Sequence, residues 1–316
     1  MKKTFIKISA IFLSSALLFA ACAKKKDSTN PDDTAQQTTT ASDQSNASTE
    51  SDQGLNDAQV VIAGSSNNAR VDMVNAIPTS PIAGATVDSL NPYLGKFTIT
   101  YNGANANNTR TRTGSITVQR SNGKWSVPGS VLTLTFNNYK VTRVATGKSI
   151  TLNGTHVVTN TSSGPYTFAA LYANNSAADT IRHKVRGSMT LTFDDGTSRV
   201  WEVARRRATT YINSVLEVAI SGDTMVSGYS KVESWGLNRK GENFYGEISS
   251  PIVFSSSCLF EPVSGVYVHQ GIAKTLTVTF GVNSDGSVNT TPNCPYGLKL
   301  DWTNLSNVAK ELVLAY

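Results

Sequence analysis

The chain is poor in the residues that usually build active sites. Its 316 residues hold three cysteines and three histidines. His156, His183 and His269 lie far apart, and none falls in a zinc pattern such as H-E-x-x-H. A G-x-S-x-G elbow and a P-loop are also missing, so the common nucleophile and phosphate-binding templates do not apply. The acidic turns Asp194-Asp195-Gly196 and Asp285-Gly286 lack the alternating oxygen ligands and closing glutamate of an EF-type calcium loop, and read as hairpin turns. Long amphipathic helical patterns are absent. No cofactor is expected. A glycosidase would need two carboxylates, from Glu202, Glu217, Glu233 or Glu247, brought together by folding alone. The expectation is therefore of a protein that is not an enzyme.

Long apolar runs are scarce as well. The one that stands out, Ile8 to Ala21, is too short and too interrupted by Ser9, Ser14 and Ser15 to span a bilayer. It follows Lys2, Lys3 and Lys7, and positive charge before a short apolar stretch is the form of a secretory signal. The run ends in Leu18-Phe19-Ala20-Ala21-Cys22, which resembles the lipobox of bacterial lipoproteins. That resemblance implies a signal over residues 1–21 and acylation of Cys22, with ordinary cleavage after Ala23 as the alternative. Each buried methylene of an acyl group adds about 0.8 kcal/mol to membrane binding. Lys24, Lys25 and Lys26 lie beside the anchor, within reach of anionic headgroups. By resemblance to the lipoprotein sorting rule, Ala23 in place of an aspartate favours the outer membrane as the expected location.

From Ala23 to Gly54 the chain is Ser, Thr, Gln, Asn and Asp with few apolar side chains. Such a segment buries too little surface to offset its chain entropy, and residues 22–54 are expected to be a disordered tether. Residues 55–95 form an ill-defined lead-in, and 96–316 a folded body.

The net charge of +6 divides unevenly. Residues 55–316 carry 22 basic and 16 acidic side chains. Much of that excess is gathered in Arg182, Lys184, Arg186, Arg199, Arg205, Arg206 and Arg207. A basic cluster on an exported protein is a candidate contact for polyanions, with Arg205, Arg206 and Arg207 at its centre, or a solvated strand face. Nucleic acid is not an expected partner, because export removes it and no recognition motif accompanies the charge. With Cys22 acylated, Cys258 and Cys294 remain as an even pair in an oxidising compartment, which reads as a disulfide.

What the chain has in abundance is alternation. Phe97-Thr98-Ile99-Thr100-Tyr101, Leu132-Thr133-Leu134-Thr135-Phe136, Met189-Thr190-Leu191-Thr192-Phe193 and Leu276-Thr277-Val278-Thr279-Phe280 each place apolar residues on one side and hydroxyls on the other. This period of two predicts half-buried antiparallel strands, and β-branched Thr favours extended backbone on the wet side too. Asp194-Asp195-Gly196, Ser121-Asn122-Gly123, Asn153-Gly154 and Asp285-Gly286 mark turns between strands. The expected fold is all-β, an antiparallel hairpin or meander arrangement in an elongated sheet or a sandwich. Trp125, Trp201, Trp235 and Trp302, with Tyr101, Tyr139, Tyr229 and Tyr245, either fill its core or form a stacking platform for sugars.

The strings RTGSITVQ, GSVLTLTFNNYKV and SITLNGTHVVTN, with the later SSCLF and CPYG, resemble those of functionally uncharacterised, Thr-rich all-β lipoproteins of Bacteroidota-type bacteria. The resemblance spans most of Lys96 to Trp302. Its motifs are strands and turns, so it implies architecture and an envelope location and supplies no catalytic residues. Sequence alone therefore points to a cell-envelope lipoprotein held to the membrane by its N-terminal lipid. Its expected role is structural, adhesive or interactive, with a glycan- or polyanion-binding surface module as the alternative.

Overall fold

The computed structural model describes residues 31–66, 82–91, 95–164, 168–176, 179–258, 260–271, 275–303 and 307–316. The proposed signal and Cys22 lie outside them. The body is all-β and antiparallel, as the alternation predicts. Its strands are β1 (Ala85–Asn91), β2 (Lys96–Ala104), β3 (Arg110–Ser121), β4 (Val131–Arg143), β5 (Ser149–Asn160), β6 (Ile181–Phe193), β7 (Ser198–Ile212) and β8 (Val215–Gly222). They continue with β9 (Thr224–Val226), β10 (Tyr229–Leu237), β11 (Asn243–Ser255), β12 (Glu261–Gly271), β13 (Thr275–Val282), β14 (Gly297–Thr303) and β15 (Ala309–Ala315).

All fifteen belong to one sheet, and nearly every strand pairs with its neighbour in sequence. The one departure is in the middle. The first half of β7 pairs with β10 and its second half with β8, so β8 and β10 lie end to end between β7 and β11. Turns fall where the glycine signals stand. Gly196 closes the β6–β7 hairpin at φ +79°, and the carboxylate of Asp195 accepts from the backbone N–H of Thr197 at 2.9 Å. Gly114 answers a bulge in β4. There the register shifts between Phe136 and Tyr139, Asn138 takes φ +48°, and a Cβ at Gly114 would collide with the Asn138 carbonyl.

The tether expectation fails from Pro31 onward, and with it the boundary at residue 54; residues 22–30 lie outside the described residues. Pro31–Ser66 is a single helix, α1, packed against the sheet. Ala47, Leu55, Ala58 and Val61 join the main core with residues from β2 to β7 and β11. Gln44, Glu50, Ser51 and Asp57 are also buried. The body likewise begins before Lys96, since β1 pairs with β2 from Ala85. Composition misleads here because it counts only apolar burial. This helix, polar along most of its length, meets a sheet face that supplies partners for its polar groups.

Gly54 sets how closely α1 approaches. A Cβ there would stand 2.7 Å from Ile116 Cδ1 and 2.9 Å from Phe136 Cε1, so the bare backbone rests on β3 and β4. The sheet bends far enough round α1 for residues of β2, β3, β7 and β10 to bond to it.

Candidate functional site

The candidate site is the space between α1 and the concave face of the sheet, and its chemistry starts from strand parity. In β3, Ile116 and Val118 are buried, and alternation carries Arg110 and Arg112 to the same face. In β7, Trp201 and Val203 set the parity that turns Arg199, Arg205 and Arg207 inward. The segment of α1 has six acidic residues and no basic one. Opposite charges therefore face each other across the interior.

The pairs form along the helix. Arg239 donates through Nε and Nη2 to the two oxygens of Asp43, at 2.6 and 2.7 Å. Arg110 Nε donates to Glu50 at 2.8 Å, and Arg205 Nη2 to Asp52 at 2.7 Å. Asp57 accepts from Arg112, from the Tyr101 hydroxyl and from Gln53, each at 2.8 Å. Burial raises the Asp57 carboxyl above its ordinary range, opposed mainly by the charge of Arg112. Four helix acids thus serve to hold the helix.

Burial against α1 takes Arg205 and Arg207 out of the polyanion reading and leaves Arg206 on the surface. Arg205 is 1% exposed and Arg207 7% exposed. Besides Asp52, Arg205 lies 3.6 Å from Glu233, and Arg207 reaches Asn56 at 3.2 Å and Asp52 at 3.7 Å. Only Arg206 points outward, where it shares Asp223 with Lys184 and Arg186. Arg199, Arg205 and Arg207 lie indoors because their strand positions share a face with Trp201 and Val203.

The histidines are scattered through the same interior. His156 lies between Phe136 and Trp201, His183 stacks on Trp125, and His269 stacks on Phe244. Burial pushes His156 and His183 down to about 3 and His269 to about 4, with nearby arginines adding to the effect. All three are therefore neutral imidazoles near pH 7. Of the candidate carboxylates, Glu233 is buried, and burial raises it against the pull of Arg205.

Where β8 and β11 to β14 face α1, the packing changes. The sheet presents a second apolar cluster that includes Ile220, Ile248, Val278 and Leu298. The helix side opposite is polar, with Gln44, Ser45, Ser48, Thr49 and Asp52. A cavity of about 170 Å³ lies between them. Neither wall closes it, because hydroxyls and amides gain nothing by pressing on hydrocarbon. Polar atoms at its edge are incompletely matched. Among the described residues, Gln44 Oε1 and Arg207 Nε have no hydrogen-bond partner.

The cysteine pair is joined, with Cys258 and Cys294 bonded through their Sγ atoms. The bridge ties the turn after β11 to the loop before β14, and Cys258 stands in the segment between the cavity residues Phe254 and Phe260.

No protein-family model matches the chain, and comparison with characterised proteins and with solved structures likewise finds no match. The functional reading therefore rests on this geometry.

The aromatic residues divide. Trp201, Trp302, Tyr101 and Tyr139 are buried. Tyr229 and Tyr245 stack at 5.1 Å between ring centres, and Tyr245 is the cross-strand partner of Trp235. These three rings are half-buried.

Proposed function

We propose that this chain is a lipid-anchored protein of the bacterial cell envelope whose β body acts by binding rather than by catalysis. The observation that carries the binding half is the cavity between α1 and the sheet, apolar on one wall and polar on the other. The ion pairs support it too, since Asp43, Glu50, Asp52 and Asp57 are committed to arginines that fasten the helix. The envelope half rests on the lysine-led apolar run and the lipobox-like Leu18 to Cys22. It agrees with the resemblance to Thr-rich lipoproteins of Bacteroidota-type bacteria, and the outer membrane is the proposed site.

The anchor is tested by expressing the full gene with Cys22→Ser in a bacterial host fed labelled palmitate. The native protein takes up label and sediments with membranes, whereas the variant does neither. Unlabelled native protein would end the lipoprotein reading.

A second binding surface is favoured by Tyr229, Tyr245 and Trp235. Their half-exposed rings on β10 and β11 fit the stacking of sugar faces on aromatic side chains. A soluble-glycan array with native protein and Tyr245→Ala tests it. Equal signals from the two would remove the glycan reading.

A further inference from the structure

The half-exposed rings stand in an outward row that crosses the sheet. Ser188 of β6, Glu202 of β7, Trp235 of β10, Tyr245 of β11 and Gln270 of β12 are successive cross-strand partners. Such partners share a face, and Trp201 and Val203, on either side of Glu202, are buried on the opposite one. Tyr229 stacks on Tyr245, so three rings gather on the outer surface among polar neighbours.

The same surface carries a group of cations. Alternation turns Arg206 outward four residues after Glu202, and Arg186 and Lys184 outward two and four residues before Ser188. What gathers them is the break between β8 and β10. Asp223 lies in that break, its backbone N–H shared between Ala204 O at 3.0 Å and Val232 O at 3.2 Å. Its carboxylate accepts from Arg206 Nε and, at 2.7 Å, from Arg186 Nη2, with Lys184 Nζ 3.9 Å away. The Asp223 side chain is 2% exposed, whereas Lys184, Arg186 and Arg206 are 42, 45 and 60% exposed. One enclosed acid therefore holds three exposed cations, and the excess of positive charge faces outward. Ion pairs with cations so exposed add little to stability, but the pairing fixes where the cations stand.

A guanidinium has five N–H donors, and Arg186 and Arg206 each engage the Asp223 carboxylate through one nitrogen. Both retain donors for a second oxyanion, which a guanidinium fork grips by parallel bonds. Rings and cations lie within reach of one ligand. Glu202, opposite Trp235, and Arg206 are four residues apart on β7, roughly 13 Å at about 3.3 Å per residue. An oligosaccharide can lay a sugar face on the rings, with Glu202 and Glu247 as acceptors for its hydroxyls, while an acidic group further along meets Arg186 and Arg206. A bare anion would forgo the rings, and a neutral glycan the cations.

We infer that this outer surface, from Tyr245 and Trp235 to Arg206, Arg186 and Lys184, binds an acidic glycan, with sugar faces on the rings and a carboxylate or sulfate at the cations. The inference rests on the glycan reading of Tyr229, Tyr245 and Trp235, and adds the charge of the ligand and the residues that select it.

The test uses the full chain with Cys22→Ser, so that the protein stays in solution, and follows heats of binding. The probes are tetragalacturonate, its neutral methyl ester, a heparin tetrasaccharide and a tetraglutamate peptide capped at both ends. The better of the two acidic sugars binds about tenfold more tightly than the ester, as one charge-assisted contact would give. Raising salt from about 0.05 to about 0.5 M weakens the acid about tenfold and leaves the ester unchanged. Arg186→Gln with Arg206→Gln brings acid and ester to within about twofold of each other, and Tyr245→Ala weakens both. The salt series on the native surface carries the test should the double variant not fold. Ester binding as tightly as both acids would overturn the selection by charge and leave the glycan reading standing. Peptide binding as tightly as the acidic sugars would overturn the joint site, because the cations would then act without the rings. Acid binding that neither the double variant nor Tyr245→Ala changes would place the ligand elsewhere and overturn the site. No heat from any sugar would overturn the inference and the glycan reading together.

Discussion

Arg110 Nε donates to Glu50 Oε1 at 2.8 Å with each side chain 1% exposed, joining the start of β3 to the middle of α1 across sixty positions of sequence. Two charges so deeply enclosed are costly to desolvate, and their pairing offsets much of that cost.

Glu50→Ala alone should therefore cost about 3–5 kcal/mol, because it leaves Arg110 buried without its acid. The double replacement Glu50→Leu with Arg110→Met should recover most of that loss, since well-packed apolar pairs often match a buried ion pair. Urea unfolding of the two single variants and the double gives the coupling directly. Additive losses would mean that the pair does not hold the helix.

Acid should weaken the fold before any surface group explains it. His156, His183 and His269 are neutral in the fold, pushed to about 3, 3 and 4, against an unfolded value of 6.5. The unfolded chain therefore binds more protons between those values, and stability is lost as pH falls below 6.5. Each histidine contributes a slope of about 1.4 kcal/mol per pH unit. Asp57 and Glu233, raised in the fold, work in the opposite sense just above their unfolded values of 3.8 and 4.5. Three histidines outweigh two carboxyls, so the midpoint of unfolding should drop between pH 7 and pH 5. A flat profile over that interval would refute the buried neutral histidines.

The bridge between Cys258 and Cys294 encloses a separation of 36 residues. In the chain-entropy account a loop of that length restrains the unfolded chain by roughly 3–4 kcal/mol. Replacing both cysteines with serine should lower stability by that order. Thiol labelling of the native protein without reductant should find neither residue, and labelling of both would show the bridge to be open.

Gly54→Leu probes the contact between α1 and β3. The new side chain starts within 3 Å of Ile116 and Phe136, so overpacking should cost about 1–3 kcal/mol despite the better helix propensity of leucine. Circular dichroism and thermal unfolding read the outcome, and a rise in melting temperature would mean that α1 does not lie against these strands.

The strands were legible because their signal is local. Phe97, Ile99 and Tyr101 alternate with threonines, and alternation in an extended chain is enough to separate a dry face from a wet one. The inward arginines were legible by the same rule. Trp201 and Val203 fix the parity that Arg205 and Arg207 continue, yet charge invites an outward reading. The helix was hidden for a different reason. Its Gln44, Glu50, Asp52 and Asp57 look like solvent-loving residues until partners from strands 55 to 189 positions away are brought round them.

Alternating side chains and turn glycines pointed to the antiparallel sheet, and Cys258 and Cys294, an even pair late in the chain, pointed to their own bridge, because each reading depends on residue type and neighbouring positions. Which charges meet, where the polar helix lies and where a gap remains all depend on distant segments converging. Such contacts are decided by the enclosed space, where an acid without an arginine is intolerable and a serine against isoleucine leaves room for something else.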